Sequence, residues 1–376
     1  MIMIFGMKFR LYPNRQQEKL IQQTFGCTRF VYNHALVFRI NQYECGNSIG
    51  YKETNTYLQA LKHNSEHQYD WLNDVDAHSL QQCLRDLDRA YKNFFAKRAK
   101  FPKFKSKHNH SKSYRTECVN NNITVVRNYI KLPKLGYVKA RVTMPVPFRI
   151  LNATIEQAPS GKYFAVLTVE VSDIKPLPNG NGEVGIDVGI KDFYVDSNGN
   201  RVSNNKFLKQ SQIKLKKTQK RLSRKHKGSH NWEKQRIKVA RIYEHITNQR
   251  NDFLQKQSTK LIKENQIICI EDLNVKGMIK NHRLANSIAD VSWSKFINML
   301  EYKAFAYGCE VIKVPRFYAS SQICSDCGFQ YEGTKDLSVR QWICPKCGSY
   351  HDRDVNAAIN ILHKGLKIRQ QQLQTA

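Results

Sequence analysis

Three carboxylates lie where acidic residues are uncommon, at the edges of apolar segments. Asp187 interrupts an alternating Val/Ile run, and Glu271 directly follows the apolar segment 267–270. Asp354 comes just before a helical pattern of alanine, isoleucine and leucine. Because Asp and Glu are disfavoured in strands, their presence there needs a reason beyond propensity. A single such acid is usually an edge or surface residue, but three in this order indicate a hydrolytic metal site.

Convergence of the three carboxylates would require cations between them, because like charges cannot all stay ionised at short range. Oxygen ligands and retained waters suit Mg²⁺ or Mn²⁺ better than Zn²⁺. Two ions about 3.5–4 Å apart would stabilise both the attacking and the leaving oxygen of a phosphodiester cleavage. The sequence therefore predicts Asp187, Glu271 and Asp354 as catalytic ligands of Mg²⁺ or Mn²⁺.

Three further acids lie close to these positions in the chain. Asp352 competes with Asp354, but Asp354 opens the Asp-x-Asn-Ala-Ala segment that begins the predicted helix, so we favour Asp354. Asp192 and Asp272 are expected to be bystanders.

Four cysteines form two Cys-x-x-Cys pairs, Cys324 with Cys327 and Cys344 with Cys347, separated by sixteen residues. This spacing is typical of a four-thiolate zinc site, and a glycine after each pair allows a tight turn. Such a site is structural, because four thiolates leave no open coordination position. Two redox motifs or two disulfides are the alternatives.

The other six cysteines are scattered singly, which suits reduced thiols inside a cell.

The charge of the chain predicts a polyanionic partner. Lys and Arg number 61 against 31 Asp and Glu, a formal charge of +30. Residues 201–250 carry 16 of the basic residues and two glutamates, which predicts a cationic wall for a nucleic-acid duplex that includes Arg221, Arg224 and Lys225. Around Lys103 and Lys105, cations alternate with phenylalanines, a pattern that can contact phosphates and stack on bases. The alternatives are a solvated helix face and a generally basic soluble protein.

The N-terminus gives no indication of export or membrane insertion. Its first seven residues are apolar, but Lys8 and Arg10 follow them, whereas a secretory signal places its positive charge first. No segment approaches the roughly 18 apolar residues of a membrane span. We therefore expect an intracellular protein with no membrane partner.

The first half of the chain predicts a β domain interrupted by helices. Residues 1–12 form a strand pattern that ends at Pro13, and Asn14 with Gln17 predicts a capping box for the following helix. A second helical pattern covers residues 77–98. Five short strand patterns then follow within residues 123–171, which we expect to close into a small antiparallel barrel.

The second half, after a Pro- and Gly-rich linker predicted at residues 175–182, has the element order β-β-β-α-β-α-β-α. Its acids fall on the first strand, the fourth strand and the last helix, which is the ribonuclease-H-like arrangement. The first and fourth strands would then be neighbours, and Asp187 and Glu271 would meet at one edge of the sheet.

Several motifs together resemble the TnpB (OrfB) family, the transposon-encoded relatives of type V CRISPR effectors. In the second half they are Gly-Ile-Asp-Val-Gly-Ile-Lys-Asp at 185–192, Ile-Glu-Asp-Leu at 270–273, the two cysteine knuckles at 320–328 and 342–348, and His-Asp-Arg-Asp-Val-Asn-Ala-Ala at 351–358. Shorter matches extend the similarity through the first half, at 11–14, 30–33, 91–95 and 132–136.

The resemblance implies an RNA-guided DNA endonuclease. A guide RNA from the transposon end would pair with double-stranded target DNA next to a short adjacent motif, and a RuvC domain would cut both strands. It implies a monomeric protein within a ribonucleoprotein, in the cytoplasm or nucleoid of a prokaryote. The acids Asp187, Glu271 and Asp354 match the metal ligands of the family. Residues near Tyr51, Gln81 and Asn120 would face the motif duplex, although Ala77 and His78 depart from the family pattern and leave the recognised motif open.

The resemblance also implies a multidomain α+β fold, a β-barrel (wedge) with an inserted helical bundle followed by a ribonuclease-H-like RuvC domain with a zinc-knuckle insertion. The implied parts are a wedge barrel at 1–14 and 111–174, a recognition bundle at 15–110, a linker at 175–182, RuvC at 183–317 and 351–366, a zinc insertion at 318–350 and a C-terminal tail at 367–376.

Two other functions fit part of this pattern. A DDE-like transposase can use a similar acidic triad to cut and join DNA ends without a guide RNA. A regulator that binds nucleic acid without cutting it could be built on the same scaffold, although loss of a triad acid would be expected there and all three are present.

Overall fold

The computed structural model describes residues 2–63, 66–144, 146, 148–172, 180–336 and 338–375. The chain divides into two compact units, Met1–Asp173 and Ile174–Ala376. No helix in the described ranges is both long enough and apolar enough to cross a membrane.

The first unit contains one antiparallel sheet and three long helices that lie between its first two strands in sequence. Its elements are β1 (Ile2–Tyr12), α1 (Arg15–Glu44), α2 (Tyr51–Lys62), α3 (Ala77–Phe95), β2 (Lys112–Glu117), β3 (Thr124–Val126), β4 (Tyr129–Leu132), β5 (Gly136–Arg141), β6 (Arg149–Gln157) and β7 (Tyr163–Ser172). The strands follow the order β2-β6-β7-β1-β5-β4-β3.

This sheet differs from the closed barrel that the strand patterns suggested. Its hydrogen-bonded order has two ends, β2 and β3, among the described residues, so the hydrogen bonding does not close into a ring. Strand β2 was not predicted, because Lys112–Glu117 contains one apolar residue. It is stabilised by the helices, since Tyr114 packs edge-on against Phe25 of α1 and Thr116 donates to Asp76 at the start of α3. Covering an edge strand with helices is an alternative to closing the sheet.

The predicted start of α1 is confirmed. Asn14 accepts a hydrogen bond from the backbone of Gln17, and the Gln17 side chain accepts one from the backbone of Asn14. The three helices share a buried core that includes Leu36, Leu58 and Leu84.

The second unit contains a mixed sheet with helices on both faces and a small two-stranded ribbon. Its elements are β8 (Gly182–Val188), β9 (Asp192–Asp196), β10 (Arg201–Ser203), α4 (Phe207–Ser223), α5 (His230–Glu264), β11 (Asn265–Glu271), α6 (Val275–Met278), α7 (Ala285–Val291), α8 (Trp293–Tyr307), β12 (Glu310–Val314), β13 (Gln341–Ile343), β14 (Tyr350–Asp352) and α9 (Arg353–Thr375).

The large sheet has the order β10-β9-β8-β11-β12, so the first and fourth strands of this unit are neighbours, as predicted. Strands β8, β11 and β12 run parallel, and β9 runs antiparallel to β8. Every second residue of the central strands, such as Ile186 of β8 and Ile270 of β11, faces a core that also contains Leu261 of α5 and Phe296 of α8. The opposite face, which includes Cys269, packs against α9.

Two boundaries differ from the sequence-based expectation. Of the linker expected at 175–182, residues 175–179 lie outside the described residues, and Gly182 already belongs to β8. The tail expected at 367–376 is helical as far as Thr375. Ile368 packs against the core cluster that includes Ile312, and Arg369 Nε lies 2.6 Å from Glu310 Oε2. These two contacts explain why the helix continues beyond residue 366.

Candidate active site and zinc site

Asp187 and Glu271 lie side by side at the carboxyl ends of two parallel strands. Ile186 of β8 pairs with Ile270 of β11, so each acid is the next residue along its own strand. Neighbouring strands lie about 4.8 Å apart, and residues in matching register point to the same face. The sheet therefore brings the first two predicted acids to one edge.

The close approach of α9 explains the glycine two residues before Asp187. A Cβ on Gly185 would collide with the carbonyl oxygen of Ala358 in α9, and a Cβ on Gly365 would collide with the Cys269 sulfur in β11. Residues two apart on a strand face the same side. Asp187 and Glu271 therefore project from the face of the sheet that α9 covers.

Asp354 lies in the first turn of α9, while Asp352 caps that helix. Asp352 Oδ1 accepts hydrogen bonds from the backbone N–H groups of Asp354 and Val355, both at 3.1 Å. A carboxylate that caps a helix in this way is stabilised by the helix dipole. The two neighbouring acids thus have different environments. Asp352 accepts hydrogen bonds from the backbone, whereas Asp354 lies within the first turn of the helix.

The electrostatics of Asp187 couple it to both other candidate acids. Burial, then the negative charges of Asp354 and Glu271, raise the pKa of Asp187 to about 7. Burial and the adjacent Asp272 raise the pKa of Glu271. Like charges at short range in a desolvated site produce this direction of shift, and a divalent cation would relieve it.

The spacing of the acids is wider than that of a single closed metal site. The three carboxylates are absent from the groups of described side chains whose donor atoms all lie within 4.8 Å of one another. The donor set, which consists of oxygen atoms, fits Mg²⁺ or Mn²⁺.

Two arginines contact the acids, and no sequence motif predicted them. Arg201 Nη2 lies 2.6 Å from Asp352 Oδ1, and its Nη1 lies 3.3 Å from Asp192 Oδ2 and 3.4 Å from Asp354 Oδ2. Arg340 Nη1 lies 3.4 Å from Asp354 Oδ1. Both oxygens of Asp354 therefore face a guanidinium. The surplus of cations in residues 201–250 was the one available signal for Arg201.

The four predicted cysteines come together. Their sulfur atoms all lie within 4.8 Å of one another, with 3.7 Å between Cys324 and Cys347 and 3.6 Å between Cys327 and Cys344. Tetrahedral zinc with Zn–S bonds of about 2.3 Å requires sulfur separations of about 3.8 Å. All four are free cysteines, and the short contacts join the two motifs. The geometry fits a structural zinc ion and excludes a disulfide within either pair in this state.

Two buried asparagines join the cysteine segment to α9. Asn356 accepts a hydrogen bond from the backbone of Ser325, and its amide donates to the carbonyl oxygen of Ile323 at 2.7 Å. Asn360, one turn later, donates to the carbonyl oxygens of Ser320 and Ile323. Strand β14 also runs directly into α9. The cysteine segment therefore helps to set the position of the helix turn that carries Asp354.

The residues predicted to contact nucleic acid occur in both units. In the first unit, Tyr51 begins α2 beneath the Arg85 guanidinium, which lies 5.2 Å from its ring centroid. Gln81 is half-buried on α3, and Asn120 is exposed with a positive φ of 49°.

The two lysines of the Phe/Lys segment follow α3 and are both exposed. Lys105 is held in place, because its backbone N–H donates to Asn33 and its ammonium lies 4.1 Å from the ring centroid of Tyr32. Lys103 is exposed two residues earlier.

The remaining predicted contacts belong to the second unit. Arg221 lies in the last turn of α4, Arg224 is its C-cap and Lys225 follows it. Both arginines are exposed, and Lys225 is half-buried. The structure thus leaves these cations at the end of a helix whose other face packs on α5 through Leu215 and Ile242.

Three family models match parts of the chain. One described as a probable transposase covers residues 166–282, one described as a Cas12f1-like TNB domain covers residues 293–361, and one described as a helix-turn-helix domain covers residues 1–48.

Relatives match the chain over almost its whole length. A protein of Streptomyces pristinaespiralis named "Putative RNA-guided DNA endonuclease" is 39% identical, over 96% of this chain and 89% of the relative. "Putative RNA-guided DNA endonuclease InsQ" of Escherichia coli K12 is 35% identical, over 95% of this chain and 91% of the relative.

The fold is similar to that of a protein in a solved complex described as Cas12f1-sgRNA-target DNA, with a TM-score of 0.53 and 15% sequence identity, over 96% of this chain and 98% of that one. These findings confirm the resemblance indicated by the motifs, and the chain belongs to the TnpB (OrfB) family, with a TnpB/Cas12-like fold.

Proposed function

We propose that this protein is a transposon-encoded, RNA-guided endonuclease that cuts double-stranded DNA next to a short adjacent motif. The observation that carries the proposal is the position of Asp187 and Glu271 at the carboxyl ends of two neighbouring parallel strands, where burial, and then the negative charges of Asp354 and Glu271, raise the pKa of Asp187. The names of the two relatives support the choice of an RNA guide and a DNA substrate.

Asp187, Glu271 and Asp354 are the proposed ligands of two Mg²⁺ or Mn²⁺ ions. When bound, such ions polarise the phosphate and activate a water molecule for attack. Asp187 would contribute a carboxylate to this site, and its negative charge would be balanced there by the bound cations. Arg201 and Arg340 hold the carboxylate of Asp354, which keeps its oxygens oriented within the site.

Nucleic-acid binding is proposed for both units. In the second unit Arg221, Arg224 and Lys225 contribute to a cationic surface that neutralises phosphates. In the first unit Tyr51, Gln81 and Asn120 are proposed to face the motif duplex, and Lys103 and Lys105 to contact the backbone of the guide RNA or the target.

The proposed division of labour follows the two units. Residues 1–14 and 111–174 serve as the wedge and 15–110 as the recognition bundle. Residues 183–317 and 351–366 form the nuclease, with 318–350 as a zinc-stabilised insertion whose ligands are Cys324, Cys327, Cys344 and Cys347. We propose a monomeric protein within a ribonucleoprotein.

The test of this function begins with purified protein and the RNA that accompanies it. We expect a single RNA species that includes the transposon end, and Mg²⁺-dependent cleavage of both strands in a library with a fixed target and a randomised flank. Integration of transposon ends by RNA-free protein would instead identify a guide-independent transposase. Guided binding without cleavage at any Mg²⁺ or Mn²⁺ concentration would identify a regulator.

Gly185→Ala is expected to weaken cleavage by about 100-fold, because a misplacement of about 1 Å can have an effect of that size. The new Cβ would collide with the backbone of Ala358 and come within 2.7 Å of the Leu362 nitrogen, so α9 and Asp354 must shift. We expect destabilisation by about 1–3 kcal/mol. Cleavage rates and thermal unfolding check both effects.

Gly26→Ala is the matched control for this substitution. Gly26 lies within α1, and a Cβ there meets nothing within 4 Å. Replacing a helical glycine by alanine usually stabilises by about 0.5–1 kcal/mol. Equal cleavage by the Gly185 and Gly26 variants would contradict the role assigned to the close approach of α9.

A further inference from the structure

One aromatic side chain is almost fully exposed close to the candidate catalytic edge. Phe317 is 95% exposed, more than any other large hydrophobic residue in the described part of the chain. Single exposed hydrophobic residues are common on proteins and carry no meaning alone. The position of Phe317 and the contacts that fix its turn together indicate a binding role.

Phe317 lies at the same edge of the sheet as the candidate acids. Strand β12 runs parallel to β11, and its last residue, Val314, pairs with Glu271. Phe317 follows three residues later, in the loop that leaves this edge. The exposed ring therefore follows the strand next to Glu271, at the edge of the sheet that carries the proposed metal ligands.

The turn that presents Phe317 is anchored on both sides. The backbone N–H of Tyr318 donates to the carbonyl oxygen of Pro315 at 3.0 Å, which places Arg316 and Phe317 at the corners of a tight turn. Arg316 Nη2 lies 2.7 Å from Asp272 Oδ2, and Asp272 directly follows Glu271. On the other side, Tyr318 packs against the core of the sheet and α9. A fixed turn can present a ring without a further ordering cost.

Charge favours a nucleic acid as the occupant of this position. Arg316 is adjacent to Phe317, and the chain as a whole carries a formal charge of +30. Aromatic rings next to cations bind unpaired nucleotides, because the ring stacks on the base while the cation contacts the phosphate. Bases within a duplex already stack on each other, so an exposed ring of this kind selects a single strand.

We propose that Phe317 is a stacking residue for a base of single-stranded DNA next to the scissile phosphate, and that Arg316, whose Nε and Nη2 face Asp272, uses its remaining N–H donors to contact the backbone of that strand. This inference rests on the proposed endonuclease function and extends it. The strand is the one opened by guide pairing, and the stacked base fixes the register of its phosphates relative to Asp187 and Glu271.

The test uses 2-aminopurine, a fluorescent base that is quenched when it stacks. Guided complexes of the cleavage-deficient Asp187→Ala protein receive targets with 2-aminopurine at successive positions of each strand. We expect quenching at one or two adjacent positions, lost in the additional variant Phe317→Leu and kept in Phe317→Tyr. With Asp187 intact, Phe317→Leu is expected to lower cleavage at limiting target by about 10-fold, equivalent to about 1.4 kcal/mol.

Phe305→Leu is the matched control, since Phe305 is 58% exposed on α8, which packs on the other face of the sheet. If Phe317→Leu changes neither quenching nor cleavage while the parent protein still cuts guided targets, the stacking role alone is overturned. If the parent protein does not bind target DNA with its guide RNA, both the stacking role and the proposed endonuclease function are overturned. Self-association that depends on Phe317, with unchanged quenching, would identify a second copy as the occupant and also overturn the stacking role.

Discussion

Asp187→Ala is expected to lower DNA cleavage by about 1,000-fold or more while leaving the binding of RNA and target DNA intact. Metal ions stabilise the charge of a phosphoryl-transfer transition state by several kcal/mol, and each 1.36 kcal/mol corresponds to a tenfold change in rate. Asp187 is the acid whose pKa responds to both of the others, so its removal would take one of three carboxylates from the proposed metal site. Single-turnover cleavage and filter binding with the guide RNA separate the two effects.

The same substitution has a readout that does not depend on cleavage. The folded-state pKa of Asp187 is raised to about 7 from 3.8, so the folded protein binds more protons than the unfolded chain between these values. By linkage, this group stabilises the metal-free fold fully below about pH 4, and that contribution is lost as the pH rises through about 7. The unfolding free energy of Asp187→Ala is therefore expected to fall less between pH 5 and pH 8 than that of the parent protein.

Asp252→Ala is the control for both measurements. Asp252 is an exposed acid of the same unit, and its carboxylate lies 2.7 Å from Lys256 one turn later on α5. Exposed pairs of this kind contribute about 0.3–0.5 kcal/mol. We expect unchanged cleavage and an unchanged pH profile. Cleavage at the full rate by Asp187→Ala would remove this residue from the metal site.

The meeting of Asp187 and Glu271 at one edge of the sheet could be predicted because each of them interrupts or ends an apolar strand pattern. Val184 and Ile186 alternate onto the core beneath α5 and α8, so Asp187 had to face the other side. The ribonuclease-H-like element order then predicted β8 and β11 as neighbours, and in the structure Ile186 pairs with Ile270. Local periodicity and the recognised element order together were sufficient for this edge of the sheet.

The residues that surround the acids could not be predicted in this way. Arg201, Arg340 and Asn360 are polar residues whose partners lie in other elements of the fold, and no periodicity marks them. Arg201, for example, reaches Asp354 across 153 positions. Strand β2 was missed for a related reason, because it is stabilised by contacts with helices rather than by its own apolar pattern. Long-range polar contacts become visible once the fold is known.

Cys344→Ser is expected to remove zinc and to lower cleavage by about 100-fold or more, with guide RNA binding retained. Structural zinc sites contribute much of the folding energy of small domains, with apparent binding energies of about 10–16 kcal/mol in zinc-finger peptides. Without the ion, the segment that holds Asn356 and Asn360 loses its order. The first two turns of α9 then lose the contacts that Asn356 and Asn360 make with the cysteine segment, and Asp354 is no longer fixed beside Asp187. Metal content by mass spectrometry and cleavage rates test the prediction.

Cys45→Ser is the matched control, because Cys45 is an exposed free cysteine at the end of α1, outside the cluster. It is expected to keep the zinc content and the cleavage rate of the parent protein. A zinc chelator applied with Mg²⁺ in excess should reproduce the Cys344 defect in the parent protein, and added Zn²⁺ should restore cleavage there but not in Cys344→Ser. Full cleavage by a zinc-free variant would mean that contacts of α9 with the sheet, at Gly185 and Gly365, suffice to position Asp354 without the cysteine segment.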